Sequence, residues 1–194
     1  DRSVSRGLGD VYKRQAKNLA FILPAGKYIG NSRYKDVFAA SAMADLTSFR
    51  NHWGAETSLD VELYRPVARY ELVAKDVATF LNKLSTGGLK GESFTARVKY
   101  SDYLPTGYNL WDDVPKNSLM YMEYKVAFER PADGTKELIL GFDYVLTDAG
   151  ETVSIPVELE ILNEKNEVLA RTAFRIPCER GKNCLLYTSD AADD

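Results

Sequence analysis

Histidine and cysteine are nearly absent from this chain of 194 residues, which has one His and two Cys. A Ser-His-Asp or Cys-His arrangement would have to use His52, and Asn51-His52-Trp53-Gly54 reads as an exposed turn. So few imidazoles and thiols cannot supply the usual nitrogen and sulfur ligands of a zinc site. No cluster of like charge breaks the near balance of 25 basic and 28 acidic residues, which argues against a nucleic-acid footprint. No apolar run approaches the roughly 20 residues of a membrane-spanning helix. The residues therefore point to a β-rich domain with no catalytic constellation, no metal site and no cofactor motif.

The two ends have a common origin at the level of codons. Residues 10–15 can be written GAT GTG TAT AAG AGA CAG. The reverse complement, read one base later, encodes Cys-Leu-Leu-Tyr-Thr, the sequence of residues 184–188. With their flanks, both ends resemble translated sequencing adapter. Residues 1–15 and 184–194 are accordingly expected to be non-native and to add nothing to a core. Without their four basic and five acidic residues, 16–183 keeps 21 basic and 23 acidic ones, a net charge of −2. This length suits one domain, or one domain plus part of another, and needs no disulfide or metal staple. Cys178, after Pro177 at the end of a strand pattern, is expected to pack rather than react.

The dominant period is two. Met120, Met122, Tyr124, Val126 and Phe128 alternate with polar or small residues, and so do Val153, Ile155, Val157, Leu159 and Ile161. Phe94, Ala96, Val98 and Tyr100 face away from Thr95, Arg97 and Lys99. Only a strand puts such sets on one side. Residues 138–146 (LILGFDYVL) are more continuously apolar and predict a central strand covered on both faces. Shorter strands are expected at 19–23, 59–63, 67–73 and 168–176. Gly134, Gly150 and Asn166 stand where turns need a left-handed residue, which predicts a four-strand meander over 120–176. Expected in the core are Val126, Phe128, Leu140, Phe142, Val153, Ile155, Val157, Leu159 and Phe174, with Lys125, Glu158 and Arg171 outside. One helix is signalled by Asp76 as cap, Val77, Phe80, Leu81 and Leu84 on one face, and Gly87-Gly88 as stop. A second short helix is expected at 45–52. The break before Pro66 makes 16–56 the remnant of an upstream β-domain and 57–183 the main, truncated one.

Three segments carry possible chemistry. Residues 86–93 have the glycines and lysine of a phosphate loop at the wrong spacing, between helix and strand, and read as a linker. Asp102, Asp112 and Asp113 lack the Asp-x-Asp-x-Asp-Gly spacing of a calcium loop and read as solvated turn carboxylates. Tyr103, Tyr108 and Trp111 stand near Asp102, Asn109 and Asp112, a mixture of flat apolar faces and hydrogen-bonding groups that suits sugar recognition. The same aromatics would equally roof one end of the β-core over Leu104 and Leu110.

Residues 64–73 (YRPVARYELV), 103–109 (YLPTGYN), 140–145 (LGFDYV) and 176–180 (IPCER), in this order, resemble the second half of Bacteroidales-type fimbrillin-like surface lipoproteins, a group related to minor or anchoring fimbrial subunits. Residues 23–28 resemble the late strands of that family's first β-domain. The resemblance implies a mostly β fold: an antiparallel transthyretin-like or immunoglobulin-like β-sandwich with one short helix, preceded by a fragment of an upstream β-domain. It implies an exported protein of the cell surface or outer membrane, held by a lipid anchor outside this sequence. Such a protein is non-catalytic and partners other surface or fimbrial subunits. It implies no catalytic residues, no cofactor and no metal. A carbohydrate-binding surface module of a glycan-capture system is the alternative, with Tyr103, Tyr108 and Trp111 facing the glycan.

Association is expected at a sheet edge. Pro156 donates no ladder hydrogen bond, so 153–161 should be an edge or bulged strand and a poor acceptor. The resemblance places a further strand after Lys182. Without it, an apolar groove would be vacant and open to strand addition from another chain.

Overall fold

A computed structural model describes residues 18–20, 28–42, 44–52, 54–86 and 93–188, and the strand period is plain in it. Phe94, Ala96, Val98 and Tyr100 are all buried on one face of β3 (Ser93–Tyr100). The other elements are β1 (Asn18–Ala20), β2 (Val67–Ala74), α1 (Val77–Thr86), β4 (Leu104–Asn109), β5 (Val114–Leu119) and β6 (Glu123–Glu129). They are followed by β7 (Leu138–Leu146), β8 (Thr152–Leu162), β9 (Val168–Glu179) and β10 (Asn183–Thr188). The fold is a mostly β sandwich, with one α-helix among the described residues. A four-stranded sheet, β6-β3-β8-β9, faces a three-stranded one, β10-β2-β7, and β1-β4-β5 forms a small third sheet. Every strand pairing is antiparallel except β10 with β2. Tyr70, Leu72, Val98, Leu140, Val157, Leu159 and Ile176 meet in the main core between the two larger sheets.

Helix α1 covers one end of that core. The Asp76 carbonyl accepts the Phe80 N–H at 3.0 Å, and Val77, Leu81 and Leu84 are buried. Its expected glycine stop at 87–88 lies outside the described residues, as do most of the 86–93 linker and residues 21–23 and 53. The second helix is only a 3₁₀ turn, Thr47–Phe49, begun where Asp45 Oδ1 accepts from the Thr47 N–H and hydroxyl.

Pairing corrects several expectations that periodicity suggested. There is no four-strand meander: β6 lies in one sheet, β7 in the other, and the chain returns to the first for β8 and β9. β7 is an edge strand, and the centre of its sheet is β2. Residues 59–63 alternate but pair with nothing in the fold, and Leu59, Val61 and Leu63 are exposed. Only the next residue, Tyr64, pairs, exchanging two hydrogen bonds of 2.8 Å with Ala39. Pro156 lies in β8, inside its sheet rather than at an edge. Its carbonyl accepts the Ser101 N–H at 3.0 Å, so its nitrogen points to the same side, beyond the last β3–β8 pair, Tyr100 with Val157. The missing donor therefore costs the sheet only the reciprocal bond to the Ser101 carbonyl, at the end of the β3–β8 ladder.

Phe142 is on the wrong face for the expected core. Leu72 pairs with Gly141 and Val73 with Ile139, leaving Leu140 as the extra residue of a bulge. Before the bulge Leu138 and Leu140 face the main core; after it Asp143 and Val145 do. Phe142 joins Val67, Tyr108, Tyr144 and Leu146 in a second cluster. Gly141 has φ 151°, and a Cβ there would sit 3.1 Å from Val126 Cγ2, so the bulge requires glycine. Val153 is also exposed, at the solvent end of β8. Val126, Phe128 and Phe174 are half-buried against the core, while Leu140, Ile155, Val157 and Leu159 are buried as expected.

Both flanking segments take part. Tyr28, from the stretch assigned to an upstream remnant, belongs to the main core. β10 reaches through residues 184–188, where no core contribution was expected: Cys184 and Leu186 pack against that core. The groove after Lys182 is thus filled, not vacant.

Candidate functional site

The β2 edge is reached through a fixed turn. Gly181, at φ 71°, lets the chain leave β9 for the opposite sheet, with its N–H donated to the Val67 carbonyl at 3.0 Å. Arg180 grips Asp113 through two hydrogen bonds, 2.7 and 2.6 Å. The Tyr64 hydroxyl donates to the same carboxylate at 2.7 Å and that of Tyr108 at 2.8 Å. The Arg180 guanidinium also lies 4.2 Å from the Tyr64 ring centre. These hydrogen bonds, that from Arg180 foremost, hold the Asp113 carboxyl well below its ordinary range against the effect of burial. Asp113 is thus a clamp residue, not the solvated turn carboxylate expected.

From this turn the chain runs along β2 in parallel register, Asn183 opposite Arg69 through Thr188 opposite Ala74. The Arg69 N–H donates to the Lys182 carbonyl at 2.9 Å. Side chains alternate: Cys184, Leu186 and Thr188 point inward and are half-buried, while Leu185 and Tyr187 are exposed. Only Cys184 and Leu186 add apolar contact to the main core. Beside Thr188 an apolar cavity of about 110 Å³ remains, between α1 and the two sheets. The edge therefore selects its occupant by main-chain pairing and by a row of inward positions, the last underfilled.

Of the aromatics expected to face a ligand, Tyr108 is fully buried with its hydroxyl on Asp113, which removes it from any exposed platform. Tyr103 and Trp111 are exposed, but at opposite ends of β4, whose six residues span roughly 20 Å. Asp102 caps the Tyr103 N–H at 2.7 Å, and Asp112 hydrogen bonds to Asn109. His52 is an exposed turn residue. Cys178 is buried, and burial pushes its thiol up to about 12. Among the described residues no group of three His, Cys, Asp or Glu side chains could hold a metal ion. No helix among them is long and apolar enough to cross a membrane, which says nothing of a β-barrel.

A buried polar cluster escaped the sequence reading. Asp143, inside the sandwich, pairs with Lys35 at 2.5 Å and accepts the Tyr28 and Tyr100 hydroxyls at 2.6 and 2.7 Å. The Tyr70 hydroxyl links Tyr100 to Tyr124. Burial, against the attraction of Asp143, lowers the Lys35 ammonium. The effect of these contacts is to tie residues 28–36 to the sandwich. The one signal was the single acid in an apolar nonamer.

A protein family described only as of unknown function, DUF6562, matches residues 9–187. The chain belongs to that family. The match reaches into both segments read as adapter, and it assigns the chain no activity. No curated protein and no solved structure matches the chain.

Proposed function

We propose that this DUF6562 chain is a non-catalytic structural or adhesive protein of the cell surface, fimbrial-subunit-like, that assembles or anchors by β-strand addition. Its partners are other surface subunits. One observation carries the reading: the β2 edge is completed by a parallel strand that contributes two side chains to the core and otherwise main-chain bonds. The segment lying there is one whose codons mirror the opposite end of the chain, not one whose pattern predicted a core strand. An edge that accepts such a segment selects backbone and alternation over sequence, as strand addition requires. The glycan-binding alternative has lost its platform, since Tyr108 is buried and Tyr103 and Trp111 are far apart.

Light scattering tests the reading. Leu186→Asp places a charge against the core and expels β10, so the edge opens and mass should rise with concentration, while the unsubstituted chain scatters less at equal concentration. A Leu186→Asp chain that keeps its β circular dichroism and remains a monomer at every concentration would refute strand addition.

A further inference from the structure

Resting on that reading, we infer that residues 59–63 of a second copy of this chain take the β2 edge by displacing β10. The segment Leu59-Asp60-Val61-Glu62-Leu63 has the alternation of a half-buried strand, yet no strand pairs with it and all three apolar side chains are exposed. Three inward positions exist on the acceptor, held by Cys184, Leu186 and Thr188. Leu59, Val61 and Leu63 match them in spacing and chemistry. The third match is the most informative. The pocket of about 110 Å³ beside Thr188 has an apolar wall that includes Phe80, Phe128 and Leu140, with Asp76, Lys83 and Arg171 also lining it, and that wall suits a branched apolar side chain better than threonine. Leu63 would pack against it.

The outward positions agree. Lys75 Nζ lies 3.5 Å from the Tyr187 ring centre, so the residue at that position is within its reach, and the matched donor residue is Glu62. Donation within one chain is excluded by reach in this parallel register, which puts Leu63 at the Thr188 position. A Cβ built on Gly181, at the start of the acceptor edge, would lie 4.0 Å from the Arg65 carbonyl. The third inward position, Thr188, is seven residues or roughly 23 Å farther along the chain, and the two residue steps from Arg65 to Leu63 span less than about 8 Å. In that register the donor must come from another molecule. Donor and acceptor being different surfaces, the contact is head-to-tail and continues into a chain of subunits unless its rotation closes a ring.

Cys184 reports occupancy, because it is half-buried in β10 and becomes fully reactive when that strand leaves, while buried Cys178 serves as internal control. A peptide of residues 58–64 is added to the full-length Leu63→Asp chain, which cannot donate, and alkylation of Cys184 by iodoacetamide is followed. The peptide should accelerate it; a version with Asp in place of Leu63 should need at least about tenfold higher concentration, as for an apolar side chain replaced by a charge in an apolar site. The unsubstituted chain should gain mass with concentration, and Leu63→Asp should abolish that gain. Equal potency of the two peptides, or association unchanged in Leu63→Asp, overturns the assignment of 59–63. If a peptide of the β10 sequence carrying Cys184→Val and Thr188→Leu, NVLLYL, displaces β10 while 58–64 does not, strand addition stands and this donor is wrong. If no peptide changes Cys184 reactivity, both fail.

Discussion

Asp143 is the only charged residue of the apolar run Leu138–Leu146, and it is completely buried. Its charge is tolerated because Lys35, Tyr28, Tyr100 and the Tyr144 N–H, at 2.8 Å, satisfy both oxygens. Replacing Asp143 with Ala strands the Lys35 ammonium in the core. The expected cost is about 3–5 kcal/mol by urea unfolding; a loss below 1 kcal/mol would show that Lys35 finds water. Glu160 poses the same problem at the outer face of the four-stranded sheet. Burial raises its carboxyl, but hydrogen bonds from Lys99, Arg97 and Arg171 outweigh that and bring it to about 2, against an ordinary 4.5. Because the folded value is the lower one, this stabilisation is full above pH 4.5 and is lost as pH falls through 2. It should be on the order of 2–3 kcal/mol, discounted for the half-exposed Arg171. Glu160→Gln should flatten the acid limb of the stability curve between those pH values, with Asp113 among the carboxyls that supply the remaining slope. An identical acid limb in the variant would mean the three cations do not act on Glu160.

Elements differ in how far sequence announces them. Period two locates β3, β6, β8 and β9 because facing a core imposes it locally. Pairing partners are not local, and alternation alone made residues 59–63 look like a strand that the sandwich does not use. The bulge at Gly141 is a single inserted residue, invisible to a period, and it moved Phe142 out of the main core. Phe142 is half-buried, edge-on to Tyr144 and 4.9 Å below the Arg69 guanidinium, whereas Phe94 is buried between Phe80 and Phe128. Phe94→Ala should therefore cost about 3–5 kcal/mol, and Phe142→Ala no more than about half as much. Equal shifts in the two denaturation midpoints would return Phe142 to the core. The Asp113–Arg180 clamp was equally hidden, since its partners are 67 residues apart and nothing in the sequence pairs one with the other.

At the scale of the whole molecule, the account requires that β10 be separable from the sandwich it completes. β10 is joined to β2 at a sheet edge with Leu185 and Tyr187 in solvent, while β3 lies inside its sheet with every inward residue buried. Native-state hydrogen exchange reads that difference directly. Arg69 donates its N–H to this edge, and by alternation Glu71 and Val73 do too. Together with residues 183–188, these amides should exchange through a local opening at least about 100-fold faster than those of Phe94, Ala96 and Val98. Exchange of both sets at one common rate, with one denaturant dependence, would show that β10 leaves only when the whole sandwich unfolds, and would contradict an edge built for strand addition.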